Sequence, residues 1–107
     1  MRIARAADTR RTTKETRIRI SILIDGKGEG GMDTPCKVLN HLLLSMAKFG
    51  YLDIKVQAEN LVEVDEHHLV EDVAICLGQA FDEALGKRIG IARFGFAVTP
   101  MDECLVL

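Results

Sequence analysis

"TRIRISILI", residues 16–24, decides the architecture. Ile18, Ile20, Ile22 and Ile24 alternate with Arg17, Arg19 and Ser21. Successive side chains of an extended chain point to opposite faces, so this stretch predicts a strand with its isoleucines buried and its arginines in water. "YLDIKVQA", residues 51–58, repeats the pattern with Leu52, Ile54, Val56 and Ala58 against Asp53, Lys55 and Gln57. Two strands with one apolar face each need a covering layer, and the intervening segments must supply it.

Outward from these strands, a preceding strand is expected around residues 2–7, with "DTRRTTK" as its connection. "DGKGEGGMD", residues 25–33, has four glycines in nine positions and reads as a loop. It lacks the closing Gly-Lys-Ser/Thr of a phosphate loop and the glycine spacing of a dinucleotide fold, so it is not read as a nucleotide cradle. Thr34 and Pro35 read as the N-cap and first position of a helix that runs to about Phe49. Val38, Leu42, Met46 and Ala47 are assigned to its core face, and Gly50 stops it. A second helix begins near Asp65 or Glu66 and ends at Leu85, with Gly86 as its left-handed cap. Leu69, Val73, Cys76, Leu77, Ala80, Phe81 and Leu85 keep helical spacing along it. "IGIARFGFAVT" and "ECLVL" read as two further strands separated by Pro100. The order β-β-α-β-α-β-β predicts one small α+β domain, residues 1–107, in which a mixed sheet carries two helices on one face. The last strand is then an edge, or expects a partner.

Composition narrows the function. The chain has 107 residues, enough for one core and too few for two ordinary domains. Its net charge of −2, with both signs interspersed, gives no support to a nucleic-acid or anionic-membrane role. Residues 1–19 are the exception, with seven Arg/Lys against two acids. They read either as solvated strand faces or as a hold on an anionic substrate. Cys36, Cys76 and Cys104 are odd in number and lack CxxC spacing, which points to a reducing compartment. With no signal-peptide pattern and no membrane-length apolar run, the expected location is cytoplasmic.

The chemistry concentrates in "VDEHHLVEDV", residues 64–73. Residues four apart share a helix face, so His67 and Glu71 can address one ion, while His68 is rotated by about 100° from its neighbour and faces elsewhere. Glu71 is also a helical neighbour of His68, and spacing leaves its allegiance open. Imidazole and carboxylate donors without thiolate suit Mn, Fe or Zn. The same residues also read as an acid-rich first turn favoured by the helix dipole. His41, among leucines, reads on burial statistics as a core histidine.

In order along the chain, "RAADTRRTTKETRIRISILIDGKG", "NHLL" and "DEHHLVEDVAICLGQAFDEALGKRIGIARFGFAVTPMDE" resemble the N-terminal half of the imidazoleglycerol-phosphate dehydratases, enzymes of histidine biosynthesis. The resemblance covers essentially all of the sequence, and "TKET", "HH-x-x-ED" and "PMDE" carry it. It implies two similar halves, each a small sheet with two helices on one side, in a large symmetric oligomer with two manganese ions per active site. Carried over residue by residue, it assigns His41, His67 and Glu71 to one ion and His68 to the second. Glu15 and Arg93 become substrate contacts, and Glu15 is the candidate catalytic carboxylate. In the implied reaction the substrate imidazole binds the metals, a ring-side proton leaves, and the adjacent hydroxyl departs as water.

The sequence departs from this family in two respects. "TPCKVLNH", residues 34–41, stands where the family has "TGIGFLDH", and Phe49 stands where it has histidine. These positions line the family's substrate pocket. The family enzyme is also about twice as long, and its second half carries another HHxxE. Two copies of this chain, paired as those halves pair, would provide His41, His67 and Glu71 from one copy and His68 from the other. The alternative function is a noncatalytic half-domain that binds metal and oligomerises.

Overall fold

The computed structural model describes residues 4–63 and 65–107. In chain order the elements are β1 (Ala6–Thr12), β2 (Thr16–Leu23), β3 (Gly30–Asp33), α1 (Lys37–Gly50), β4 (Asp53–Asn60), α2 (Glu66–Leu85), β5 (Thr99–Met101) and β6 (Cys104–Val106). The first four strands form a mixed sheet in the order β1-β2-β4-β3. Only the β3–β4 pair is parallel, because α1 is the crossover that returns the chain in the same direction.

The register explains the core. Ile18, Ile20 and Ile22 of β2 lie opposite Ala58, Val56 and Ile54 of β4, so the inward residues of both strands share one face. Leu43 and Ala47 of α1 and Leu69, Val73, Cys76 and Ala80 of α2 close over that face in a single cluster. Ile18 and Ile20 are almost completely buried, each contributing roughly 1.5–3 kcal/mol by transfer from water. The expected α+β architecture, a mixed sheet with both helices on one side, is the one observed.

Several boundaries differ from the sequence reading. The first strand occupies residues 6–12, where residues 2–7 were expected; Arg2 and Ile3 lie outside the described residues. Its half-buried positions are Ala7, Thr9 and Arg11, so no apolar alternation announces it, yet it pairs with β2 from Ala6↔Leu23 to Thr12↔Arg17. β3 lies inside the glycine-rich stretch read as loop, held by its pairing with β4. α1 starts at Lys37 after an N-cap at Cys36, so Thr34 and Pro35 precede the helix. The Thr34 hydroxyl instead accepts from the Cys36 N–H at 3.1 Å and donates to Asn40 Oδ1 at 2.6 Å.

The core face of α1 is rotated from the expected one. Leu43 and Ala47 face the sheet, whereas Val38 and Leu42 are 69% and 59% exposed and Met46 also faces outward. The helix is apolar on both sides, so periodicity could not choose between them. Gly50 belongs to its last turn, and Tyr51, at φ 54°, is the left-handed residue that ends it. α2 has the expected bounds, with Asp65 as N-cap, but Gly86 after Leu85 sits at φ 56° and ψ −126°, a positive-φ conformation that is not the left-handed helical one expected. Beyond it, "IGIARFGFAVT" is irregular up to Val98. Pro100 lies within β5 and does not separate two strands; β5 and β6 form an exposed hairpin of their own.

Candidate functional site

The site begins where α2 begins. The Asp65 carboxylate accepts the His68 main-chain N–H at 3.2 Å, satisfying one of the donors that a helix start leaves open. The acid-rich first turn is therefore a real cap, and it also fixes where the following side chains point. His67 Nε2 lies 3.2 Å from Glu71 Oε2, one turn along the helix. His68 turns the other way and donates from Nδ1 to Glu15 Oε2 at 2.7 Å. Glu71 thus sides with His67, which spacing had left open.

Glu15 comes from the tight turn between β1 and β2. Thr13 Oγ1 accepts the N–H groups of both Glu15 and Thr16 at 3.1 Å, and the Glu15 carbonyl accepts from Leu61 N at 2.7 Å. The bound carboxylate and its charge raise the pKa of His68, with smaller contributions from Asp65 and Glu71 working against desolvation.

The structure does not gather every expected residue. His41 is exposed on α1, not buried in the core, and its carbonyl accepts from Ser45 Oγ at 2.9 Å. Arg93 lies in the exposed segment between α2 and β5, with no ion pair or hydrogen bond to Glu15, His67 or His68. Among the described residues, no three His, Cys, Asp or Glu side chains converge on one metal position. Two ligand atoms each about 2.1 Å from one ion at near right angles are about 3 Å apart, so the His67–Glu71 separation suits two ligands of one divalent cation. His68, with Nδ1 engaged, retains Nε2 as a donor. The donor chemistry fits Mn, Fe or Zn, and the described residues bring no closed set together.

The basic N-terminal stretch is largely paired. Arg5, Arg11, Arg17 and Arg19 form ion pairs with Asp25, Asp72, Glu59 and Asp8. The glycine-rich loop is likewise committed, since Asp53 Oδ1 accepts the main-chain N–H groups of Lys27 and Glu29 at 2.8 and 2.9 Å. Those hydrogen bonds hold the Asp53 carboxyl below its usual pKa. The loop amides face a carboxylate of the protein itself, in keeping with the absence of a phosphate-loop motif.

Three residues that the sequence reading passed over stand behind this arrangement. Thr16 Oγ1 donates to Asp72 Oδ2 at 2.7 Å, and Arg11 Nε donates to Asp72 Oδ1 at 3.3 Å. A signal was present: Thr16 is the one polar residue in the inward row Thr16, Ile18, Ile20, Ile22, and Asp72 falls four residues after His68.

A sequence profile of imidazoleglycerol-phosphate dehydratase matches residues 34–107. The chain belongs to the imidazoleglycerol-phosphate dehydratase family. It is 49% identical over 106 residues to the imidazoleglycerol-phosphate dehydratase of Methanopyrus kandleri, covering 99% of this chain and 53% of that protein. The dehydratase of Desulforudis audaxviator is 48% identical over 105 residues, covering 98% of this chain and 54% of its own length. That of Hydrogenobaculum sp. is 52% identical over 103 residues, covering 96% and 54%. The chain spans about half the length of the curated relatives it matches. Within the dehydratase family, this half presents outward-facing donors and, among the described residues, no closed ligand set.

Proposed function

We propose that the chain forms part of a metal-dependent carbon–oxygen lyase site that dehydrates imidazoleglycerol phosphate to imidazoleacetol phosphate in histidine biosynthesis, in the cytoplasm. The observation that carries this reading is the divergence of the two histidines, His67 toward Glu71 and His68 toward Glu15, in a member of the dehydratase family. Family membership supports the reaction, and the diverging donors support this choice of site.

His41, His67 and Glu71 would hold one manganese ion, with iron or zinc suitable for the same donors, and His68 would reach a second. When bound, the metal supplies a Lewis acid for the negative charge that develops on the imidazole. Glu15 keeps one oxygen on His68 and offers the other for proton transfer at the substrate. Arg93 is a cation for the substrate phosphate. Completion of the site falls to a second copy of this chain or to the other half of a full-length dehydratase. Exposed apolar side chains on α1 support such a partner: Val38, Leu42 and Phe49 are 69%, 59% and 80% exposed and share the outward side of the helix with His41.

A second reading, a noncatalytic metal-binding and oligomerising half-domain, draws on Asn40. Its amide donates to the Thr34 carbonyl at 3.0 Å while its oxygen accepts the Thr34 hydroxyl, so this pocket-segment residue secures the helix entry.

Incubating the manganese-loaded chain with imidazoleglycerol phosphate and following imidazoleacetol phosphate separates the two. Product that disappears with His67→Ala supports catalysis. Metal binding and assembly without product, with none formed when the second half of a full-length dehydratase is supplied, selects the half-domain. Monomeric sedimentation together with no bound Mn, Fe or Zn after purification without chelator refutes both for the isolated chain.

A further inference from the structure

Thr16 is a fully buried polar residue, and it sits at the head of a row of isoleucines. Its hydroxyl is spent on Asp72, whose side chain is only 14% exposed and also receives Arg11. A buried hydroxyl and carboxylate, met by a half-buried guanidinium, add little net stability over apolar groups of the same shape, because the polar groups must be desolvated. What such a network does fix is position. It ties the β1–β2 turn to α2 one helical turn after His68, so Asp72 and His68 lie on the same side of the helix. Glu15 precedes Thr16, and its main chain is held from both sides, by Thr13 at its N–H and by Leu61 at its carbonyl. Its side chain therefore meets His68 Nδ1 from an anchored base.

A neutral imidazole has one N–H and one lone pair. With Nδ1–H given to Glu15, the lone pair is left on Nε2, and the His68 side chain is 46% exposed. Histidines that ligate metals commonly donate their other ring N–H to a carboxylate in this way, which fixes both tautomer and ring orientation.

We infer that Arg11, Thr16 and Asp72 are positioning residues, which set Glu15 against Nδ1 of His68 so that His68 presents Nε2 to a divalent cation. The role in cation binding rests on the metal-dependent reading above; the role in tautomer selection does not.

The test uses the whole chain in three forms: wild type, Thr16→Val, which keeps the shape and loses the donor, and Thr16→Ser, which restores it. Ring ¹⁵N shifts of His68, recorded without metal at alkaline pH, report the tautomer, and titration with Mn²⁺ reports affinity. Wild type and Thr16→Ser are expected to show the Nδ1–H form, and Thr16→Val a mixture of tautomers with Mn²⁺ bound about tenfold more weakly. A Thr16→Val chain with the wild-type tautomer overturns the inference. If wild type binds no Mn²⁺ while the tautomer still depends on Thr16, the metal reading fails and the positioning role stands. Should Thr16→Val not fold, Arg11→Gln at the exposed end of the network is judged by the same shifts, and an unaltered His68 tautomer there overturns the inference.

Discussion

Gly26→Ala and Gly31→Ala place the same methyl group in one glycine-rich segment and should have opposite effects. A Cβ on Gly26 would stand 2.5 Å from the Asp53 main-chain nitrogen and 2.6 Å from its Cγ, against 3.4 Å at the near edge of ordinary contact. Asp53 starts β4 and its carboxylate holds the Lys27 and Glu29 amides, so relieving the overlap disturbs the sheet edge and the loop together. Forcing a methyl group into occupied space costs about 1–3 kcal/mol, and the reduced freedom of the unfolded chain returns about 0.4–1 kcal/mol. The net expectation for Gly26→Ala is a loss of about 1–2 kcal/mol. On Gly31 the nearest atom would be Lys55 Cγ at 3.8 Å, with no clash, so only the favourable entropic part remains. The two variants should differ by about 2 kcal/mol, or about 10 °C in thermal midpoint for a domain of this size. Urea and thermal unfolding followed by circular dichroism measure the difference. Equal midpoints, or Gly26→Ala the more stable, would refute the account of the loop as packed around Asp53.

Other expectations follow from the core, the outer helix face and the His68 pair. Ile20→Ala removes a completely buried side chain between the sheet and the helices and should cost about 2–5 kcal/mol in urea unfolding; a loss under about 1 kcal/mol contradicts the assigned core. Leu42→Glu and Phe49→Glu alter exposed positions, so folding should change by no more than about 0.5 kcal/mol, while the pairing of copies proposed for this face of α1 predicts that both variants sediment as monomers. An oligomer that survives both substitutions places the interface elsewhere. The raised His68 pKa means that the Glu15–His68 pair stabilises the fold fully below the ordinary histidine value of about 6.5, while Glu15 stays ionised, and loses this contribution as pH rises through the folded value. Glu15→Gln should return the His68 pKa, followed by NMR, toward the ordinary value and flatten that pH dependence. An unchanged titration curve rules out Glu15 as the cause.

The strands around Ile20 and Val56 and the helix from Glu66 to Leu85 were legible because each has one apolar and one polar face, and the period of the pattern names the element. The motif residues were legible for a related reason, since helical rotation alone separates His67 from His68. β1 was expected too early in the chain and β3 not at all, because the inward positions of β1 are alanine, threonine and arginine, β3 turns only Met32 toward the core, and both depend on main-chain pairing with strands that no local pattern specifies. The face of α1 was also undecided locally: Val38 and Leu42 are as apolar as Leu43 and Ala47, and only packing against the sheet chooses between them. Sequence by itself therefore determined the two amphipathic layers and the donor types. Tertiary structure decided which side of α1 turns outward with His41, that Glu71 goes with His67, and that Glu15 meets His68. The last of these brings the β1–β2 turn against α2, where Thr16 meets Asp72 across 56 residues of sequence, a contact that no local pattern encodes.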